Sequence, residues 1–428
     1  MNSQQSSILD AAIIGGGPAG VSACLELAKA RSGKVALFES GPELGGIPRT
    51  CHVFFGMRDM KRLYRGVTYA KKLDRLARKT PTDIHVNATV MEIVPGDGGA
   101  PHRLQVLSPE GCVTYDARTV LLATGCYESP RDTRLLPGPR PAGMFTTGSL
   151  QELVRACGAR PGKRAIILGS EIVALSCVLT LRHAGTAIAG IVEEDDEVQT
   201  YPWLARSMGG ALGIPLYTGT SVYGIVGTKR VEGVRLMDRR TQKIEDVACD
   251  TIILTGKFRA YSPLIDGTAI GYDPATYGPA VDMSLMTTVP GIFAAGNVLR
   301  GAEMHDLCAL EGRRAAQGIA SWLKGPDVKD ARRISISAED PVRYAVPQRV
   351  LPEEAKSYRA SLLQPGPSIQ LSRTVHKGVL EAWSGTEMIW RKPFTRLIGG
   401  TRIPLPIDEF DWRKADSEKG IVVKVAAS

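Results

Sequence analysis

The sequence predicts an α/β fold: two parallel βαβ units, the second inserted into the first, followed by a small β-rich module. Three observations predict it. A glycine-rich strand-to-helix turn stands at Gly15–Gly20, and an altered turn of the same kind stands at Gly169–Ala174. A strand ending in glycine, Gly291 to Asn297, then returns to complete the first unit some 280 residues after it began.

The first turn follows an apolar run, Ile8 to Ile14, and precedes a helical stretch, Ala19 to Ala30. Gly15, Gly17 and Gly20 have G-x-G-x-x-G spacing, with Pro18 and Ala19 between the last two. The first glycine permits the tight turn, the second lets phosphates approach the backbone, and the third lets helix and strand pack closely. A helix N-terminus behind such a turn offers free N–H groups and partial positive charge to an anion. The strand Val35 to Glu39 ends in an acid 19 positions after Gly20, followed by Ser40. That is the spacing for a carboxylate on the ribose hydroxyls of an adenine dinucleotide. Turn, helix, strand and acid together predict a Rossmann-like dinucleotide site with Gly15, Gly17, Pro18, Ala19, Gly20, Glu39 and Ser40 against the cofactor.

The inserted unit departs from the pattern. Arg164 to Gly169 reads as strand and turn, but the turn continues Ser170-Glu171-Ile172-Val173-Ala174. Glu171 stands where a glycine would admit the pyrophosphate, bringing bulk and a like charge to that place. The next strand ends in the acidic run Glu193 to Glu197, which would repel a 2′-phosphate. Both features argue against NAD(P) at this site, and leave the unit as a scaffold or as the holder of another ligand.

Composition narrows the chemistry. The 428 residues imply two to three domains. The 8 cysteines include no C-x-x-C or C-x-x-x-x-C pair, so the motif of a redox-active disulfide is missing, and scattered thiols suit a reducing, cytoplasmic compartment. The six histidines are dispersed, which argues against a metal site. No apolar stretch is long enough for a transmembrane helix, and the polar start Met1 to Ser7 carries no signal-peptide pattern. Much of the net charge of +9 lies between Arg58 and Lys79, with Tyr64 and Tyr69 interleaved. In this context such a run reads as a solvated or partner-docking helix face rather than a nucleic-acid surface.

The expected organisation has four parts. Residues 1–130 begin the first unit, 131–257 form the inserted unit after a Pro/Gly-rich connection at 135–143, and 258–328 return to the first unit. Residues 329–428 form the β-rich module, with alternating runs at Ile334–Ser337, Ile369–Ser372 and around Met388–Trp390, read as an interaction module. A further strand is expected over Ile84 to Ile93, and a helix over Gly301 to Leu323.

Several stretches resemble the two-dinucleotide, glutathione-reductase-like flavoproteins. They are Leu44-Gly45-Gly46-Ile47-Pro48-Arg49-Thr50-Cys51-His52, Thr124-Gly125-Cys126-Tyr127-Glu128-Ser129-Pro130-Arg131 and Gly296-Asn297-Val298-Leu299-Arg300-Gly301. Within them the chain resembles a bacterial group of FAD-dependent oxidoreductase subunits that includes the B subunit of hydrogen cyanide synthase and the α-type subunits of opine oxidases and dye-linked proline or hydroxyproline dehydrogenases. The resemblance covers roughly residues 8–325. It implies bound FAD, with Gly45 and Gly46 beside the ribityl chain, Val90 at the adenine, Thr124 and Gly125 where the chain leaves the first unit, and Gly296 and Asn297 at the flavin end. Asn297 replaces the usual Asp there. An adenine nucleotide or a second flavin at a subunit interface is the variant seen in some relatives. Cys51 and His52 are the candidates for catalysis, and His305 and Cys308 fall near the flavin as well.

The function implied is an FAD-containing subunit of a heteromeric dehydrogenase or oxidase acting on a small amine, amino acid, opine or hydroxy acid. Electrons would pass to a non-NAD acceptor. Its partners would be a second, substrate-oxidising flavoprotein subunit and a small iron–sulfur subunit, in the cytoplasm or peripheral to the inner membrane. Two rivals stay open: a stand-alone NAD(P)H-dependent flavin oxidoreductase, and a non-catalytic nucleotide-binding scaffold subunit.

Overall fold

The computed structural model describes residues 8–201, 209–210, 212–325, 333–358 and 366–426. The first βαβ unit is Leu9–Ile14, helix α1 (Pro18–Ala30) and Val35–Glu39, and helix α2 (Gly66–Ala77) follows it. Its strands are buried along nearly their whole length, as a parallel sheet covered on both faces requires. They form a seven-stranded sheet in which Asp83–Val86, Val35–Glu39, Leu9–Ile14 and Gly111–Leu122 lie side by side. Two antiparallel strands, His102–Ser108 and Thr89–Val94, extend it. The late segment Ile292–Ala294 pairs in parallel with Gly111–Leu122.

The register decides where the site falls. Ile14 pairs with Leu122, and Leu122 also pairs with Ala294. Three strands therefore end at one level, and Gly15, the Ala123–Gly125 turn and the Ala295–Asn297 turn emerge together at the carboxyl edge. In open α/β sheets that edge is where ligands bind.

The inserted unit repeats the plan. Met144–Thr146, Thr251–Leu254, Arg164–Leu168, Ala187–Val192 and Leu216–Tyr217 form a parallel five-stranded sheet. Helices α3 (Thr147–Arg155) and α4 (Ile172–His183) pack on it through Leu150, Val154, Cys177, Val178 and Leu181. An antiparallel three-stranded sheet, Thr220–Val226, Gly233–Asp238 and Ile244–Ala248, covers the other face. The Pro/Gly-rich connection is pinned rather than slack, because the Arg131 guanidinium donates to the carbonyls of Leu136, Gly138 and Pro139 at 2.7–3.1 Å.

Two expected elements differ. The strand read over Ile84 to Ile93 is two strands, because Asn87 adopts a left-handed φ of 52° and turns the chain. Asp83–Val86 joins the parallel edge, while Thr89–Val94 pairs antiparallel on the far side. The helix expected over Gly301 to Leu323, α5, spans His305–Leu323 and begins four residues later than expected. Gly301 holds φ +88°, and the Asn297 Oδ1 accepts the Glu303 N–H at 2.9 Å, so that segment is a turn.

The C-terminal region is β-rich as expected. A five-stranded sheet runs Arg349–Val350, Ile334–Ala338, Ile421–Ala426, Val375–Ser384, Glu387–Leu397, and a three-stranded sheet runs Val342–Val346, Ser368–Leu371, Arg402–Pro404. Trp390, Phe410, Trp412, Leu380 and Val423 share its core. Its edge strand carries exposed Arg391, Lys392 and Pro393, charges and a proline that discourage further pairing. The module also packs on its own chain. Gln348 bonds Val281 and Asp273, Arg349 donates to the carbonyls of Met286 and Thr287, and Arg333 pairs with Asp282.

Candidate functional site: a cleft between three sheets

A single cleft of about 2090 Å³ runs past the carboxyl edges of both parallel sheets and under the C-terminal module. It is larger than a pocket for one small ligand. Gly15, Gly17, Pro18, Ala19, Glu39, Ser40, Gly46, Val90, Thr124, Gly125 and Asn297 all line it.

The glycine turn fits a dinucleotide. A Cβ on Gly20 would run into the Gly15 carbonyl, and one on Gly15 into the Ala123 carbonyl, so both glycines serve close packing. Gly17 differs. Its nearest neighbour to a built Cβ is Gly46 Cα at 4.0 Å, so its space opens on the cleft. No side chain caps α1, whose N-cap is Gly17 and whose first turn holds Pro18. The N–H groups behind Gly17 thus meet the cleft with their partial positive charge. Glu39 is anchored by the N–H groups of Gly16 and Gly41, both at 2.7 Å, which aims its carboxylate along the cleft wall. Gly45 does not line the cleft. Its N–H donates to the Gly16 carbonyl, and with Gly46 it lets the following loop touch the first turn. Gly20 is likewise a packing residue.

At the other end, the Asn297 amide is largely engaged. Its Oδ1 accepts from Glu303 N–H at 2.9 Å and from the Cys308 thiol at 3.0 Å, and its Nδ2 reaches Cys126 Sγ at 3.5 Å. Behind it lies a buried ion network. Glu311 accepts from Arg300 at 2.5 Å and from the Gly296 N–H at 3.1 Å. Arg402, from the C-terminal module, reaches Glu311 at 3.4 Å and Glu303 at 3.5 Å. Burial opposes both charges, yet Arg300 and Arg402 hold the Glu311 carboxyl below its usual range. Nothing in the spacing of these four residues announces the network, since the module's Arg402 is brought in only by folding.

Cys51 and His52 do not form an acid–base pair. The Cys51 thiol lines the cleft but is bonded to Gln151 Oε1 at 3.2 Å, and burial pushes it up to about 12. Gln151 is held in turn by Ser176 at 2.7 Å. His52 turns away: its Nδ1 lies 3.1 Å from Thr180 Oγ1 and its ring lies 4.5 Å from that of His183. Both residues fasten the first unit to α3 and α4. A lone Cys-His dipeptide carries no signal of side-chain direction, so the sequence could not say that Cys51 lines the cleft while His52 turns from it.

The second turn is filled from within. Glu171 Oε2 accepts from Thr255 Oγ1 at 3.0 Å, and a Cβ on Gly256 would collide with the Glu171 carboxylate. Ser170 donates to Glu193 at 2.5 Å and accepts the Gln199 N–H at 2.8 Å. Burial raises the Glu193 carboxyl from 4.5 to about 7. The folded chain therefore holds this proton up to about pH 7, whereas the unfolded chain releases it near 4.5. The contribution is present at pH 5 and lost as the pH rises through 7. The parent loses on the order of 1–3 kcal/mol more stability than Glu193→Gln between pH 5 and pH 8 in denaturant unfolding, and equal losses would refute the assignment.

All eight cysteines are free. Among the described residues there is no His/Cys/Asp/Glu cluster fit for a metal ion, and no helix long and apolar enough to cross a membrane.

Residues 9–318 match the family model described as pyridine nucleotide-disulphide oxidoreductase. The chain is 26% identical over 348 residues to the glutamate synthase [NADPH] small chain of Escherichia coli, covering 73% of this chain and 68% of that one. It is 25% identical to an opine oxidase subunit of Agrobacterium tumefaciens, covering 74% and 67%. It is 30% identical over 187 residues to hydrogen cyanide synthase subunit HcnB of Pseudomonas aeruginosa, covering 42% of this chain and 38% of that one. In fold it is similar to thioredoxin reductase of T. acidophilum, with a TM-score of 0.62 at 20% identity over 74% of this chain and 99% of that one. It is also similar to L-proline dehydrogenase of P. horikoshii, with a TM-score of 0.55 at 22% identity over 74% and 56%.

Proposed function

Because the chain belongs to the pyridine nucleotide-disulphide oxidoreductase family, we propose that it is the FAD-carrying subunit of a heteromeric dehydrogenase or oxidase that passes electrons to an acceptor other than NAD(P). One contrast carries the reading: the first glycine turn is open at Gly17, while the second is occupied by its own Glu171. FAD, when bound, supplies the two-electron chemistry. The chain's part is to hold it. Glu39 takes the ribose, the Gly15–Gly20 turn and the first N–H groups of α1 take the pyrophosphate, and Gly46 and Asn297 flank the path to the far end of the cleft. The cysteine pair of a disulfide reductase is missing from the sequence, so the disulphide half of the family's name does not describe this chain's chemistry.

The relatives support a partner and a substrate class for this reading. Two of them are named as subunits, of opine oxidase and of hydrogen cyanide synthase. The substrate class in this reading is a small amine, amino acid, opine or hydroxy acid, oxidised on a second flavoprotein subunit. Four exposed residues near the rim of the cleft, Phe54, Met57, Leu63 and Arg62, offer that subunit an apolar and cationic face.

The test is the visible spectrum of the purified chain, with the released cofactor identified by chromatography, before and after anaerobic NADH. The parent carries FAD that NADH fails to bleach over minutes, and Glu171→Gly raises the rate of bleaching at least about tenfold, because bulk and charge leave the second turn. A parent bleached at once by NADH would be a reductase in its own right. A colourless chain holding only an adenine nucleotide would be a scaffold.

A further inference from the structure

His305 is the first residue of α5 and lines the cleft, one helical turn before Cys308, whose thiol bonds Asn297. Three contacts hold its ring. Its Nε2 accepts the Gly56 N–H at 3.0 Å, Phe55 packs edge-on with centroids 4.1 Å apart, and Tyr69 packs edge-on at 5.4 Å. Tyr69 is itself fixed, donating to the buried Asp59 at 2.7 Å. A ring nitrogen that accepts an N–H has no proton of its own, so in the neutral ring the proton sits on Nδ1. Nδ1 has no partner among the described residues and is the polar atom left for the cleft.

The position along the cleft gives this donor its meaning. Glu39 marks the ribose end and Gly15–Gly20 the pyrophosphate. In the sheet Val35–Glu39 lies on one side of Leu9–Ile14, and Gly111–Leu122 followed by Ile292–Ala294 on the other. Asn297 and its neighbour Cys126 therefore lie across the first turn from Glu39, with His305 one turn of α5 before Cys308, whose thiol bonds Asn297; this is the end where the second ring of a dinucleotide lies. The geometry points to His305 as the hydrogen-bond donor that this cleft presents, through Nδ1–H, to the reducible ring of its cofactor, favouring the reduced, electron-rich form. The assignment rests on the FAD reading above.

The surroundings keep the ring a neutral donor rather than a cation. Burial pulls its pKa down to about 4, and Arg58 acts in the same direction while Asp306 opposes it. Those two groups are paired with each other at 3.1 Å, and Asp59 is bonded to Tyr69, so no free carboxylate among them competes for Nδ1–H.

Two substitutions separate the ring's two jobs. In His305→Gln the amide reaches the position of Nε2 and keeps the bond to Gly56, but loses the donor at Nδ1. In His305→Asn the amide sits near Nδ1 and keeps a donor in the cleft, but loses Gly56. The readout is the midpoint potential of the bound flavin at pH 7, measured with a reference dye, together with the nitrogen resonances of the histidine ring. Gln lowers the potential by about 30 mV, a tenfold weaker hold on the reduced relative to the oxidised form of a two-electron couple. Asn stays close to the parent. The parent ring shows a protonated Nδ1 and an unprotonated Nε2. The opposite order, with Asn lowered and Gln unchanged, makes His305 a purely structural residue and overturns the proposal. So do unchanged potentials in both variants, or a ring protonated on Nε2. A chain that binds no flavin at all refutes the earlier reading, and this one with it; flavin bound at an unmoved potential refutes only this one.

Discussion

Gly17→Val yields a folded protein that purifies without its flavin. A Cβ at residue 17 meets no atom beyond its chain neighbours closer than 4.0 Å, and the position does not need a left-handed backbone, so the fold accepts a side chain that points into the cleft. The space the side chain takes is the one that opens on the cleft between the first turn and the Gly45–Gly46 loop. It would displace a pyrophosphate from the N–H groups of α1. Two charge-assisted hydrogen bonds lost, at about 1.5–3 kcal/mol each, weaken binding by at least about a hundredfold. Absorbance of the purified variant and titration of the flavin-free protein with FAD measure it. Gly20→Ala serves as the contrast. Its Cβ runs into the Gly15 carbonyl, so that variant loses stability as well as cofactor. A yellow Gly17→Val protein with parental affinity would remove the first turn from the binding site.

Glu311→Gln costs about 3–5 kcal/mol of unfolding free energy, the loss typical of a buried ion pair stripped of one partner. The pair is 2.5 Å apart with both side chains at most 3% exposed. Removing the carboxylate's charge leaves buried Arg300 with only the more distant Glu303, 3.9 Å away, as counter-ion, weakens the hold on the Gly296 N–H, and removes the contact of Arg402 with α5. The damage reaches both the Ala295–Asn297 turn and the docking of the C-terminal module. Denaturant unfolding measures the loss, and limited proteolysis of the variant cuts the module first. A variant as stable as the parent would show that the network contributes nothing to either.

The first turn and its partners were legible from the sequence because their cause is local. Gly15 and Gly20 serve the turn and its packing, Gly17 the approach of a phosphate, Glu39 follows from one strand-helix-strand length, and Gly291 to Asn297 reads as the strand and glycine that complete the first unit. Glu171 was legible for the same reason, as a side chain placed where a pyrophosphate would need a glycine. The β-rich character of the last hundred residues followed from period-two alternation.

What only the tertiary structure decided are the contacts between segments far apart in the chain. Cys51 and His52 looked chemical in sequence, but packing against α3 and α4 gives the Cys51 thiol to Gln151 and the His52 Nδ1 to Thr180. His305 looked ambiguous until Gly56, 249 residues earlier, took its Nε2 and left Nδ1 to the cleft. Arg402 carries no pattern at all, yet it closes a buried network with Glu311 that joins the C-terminal module to the cofactor turn. The physical reason is common to all three. Local spacing dictates dihedral angles and burial periodicity, whereas the partner of a buried polar atom is chosen by whichever distant segment the fold brings within about 3 Å of it.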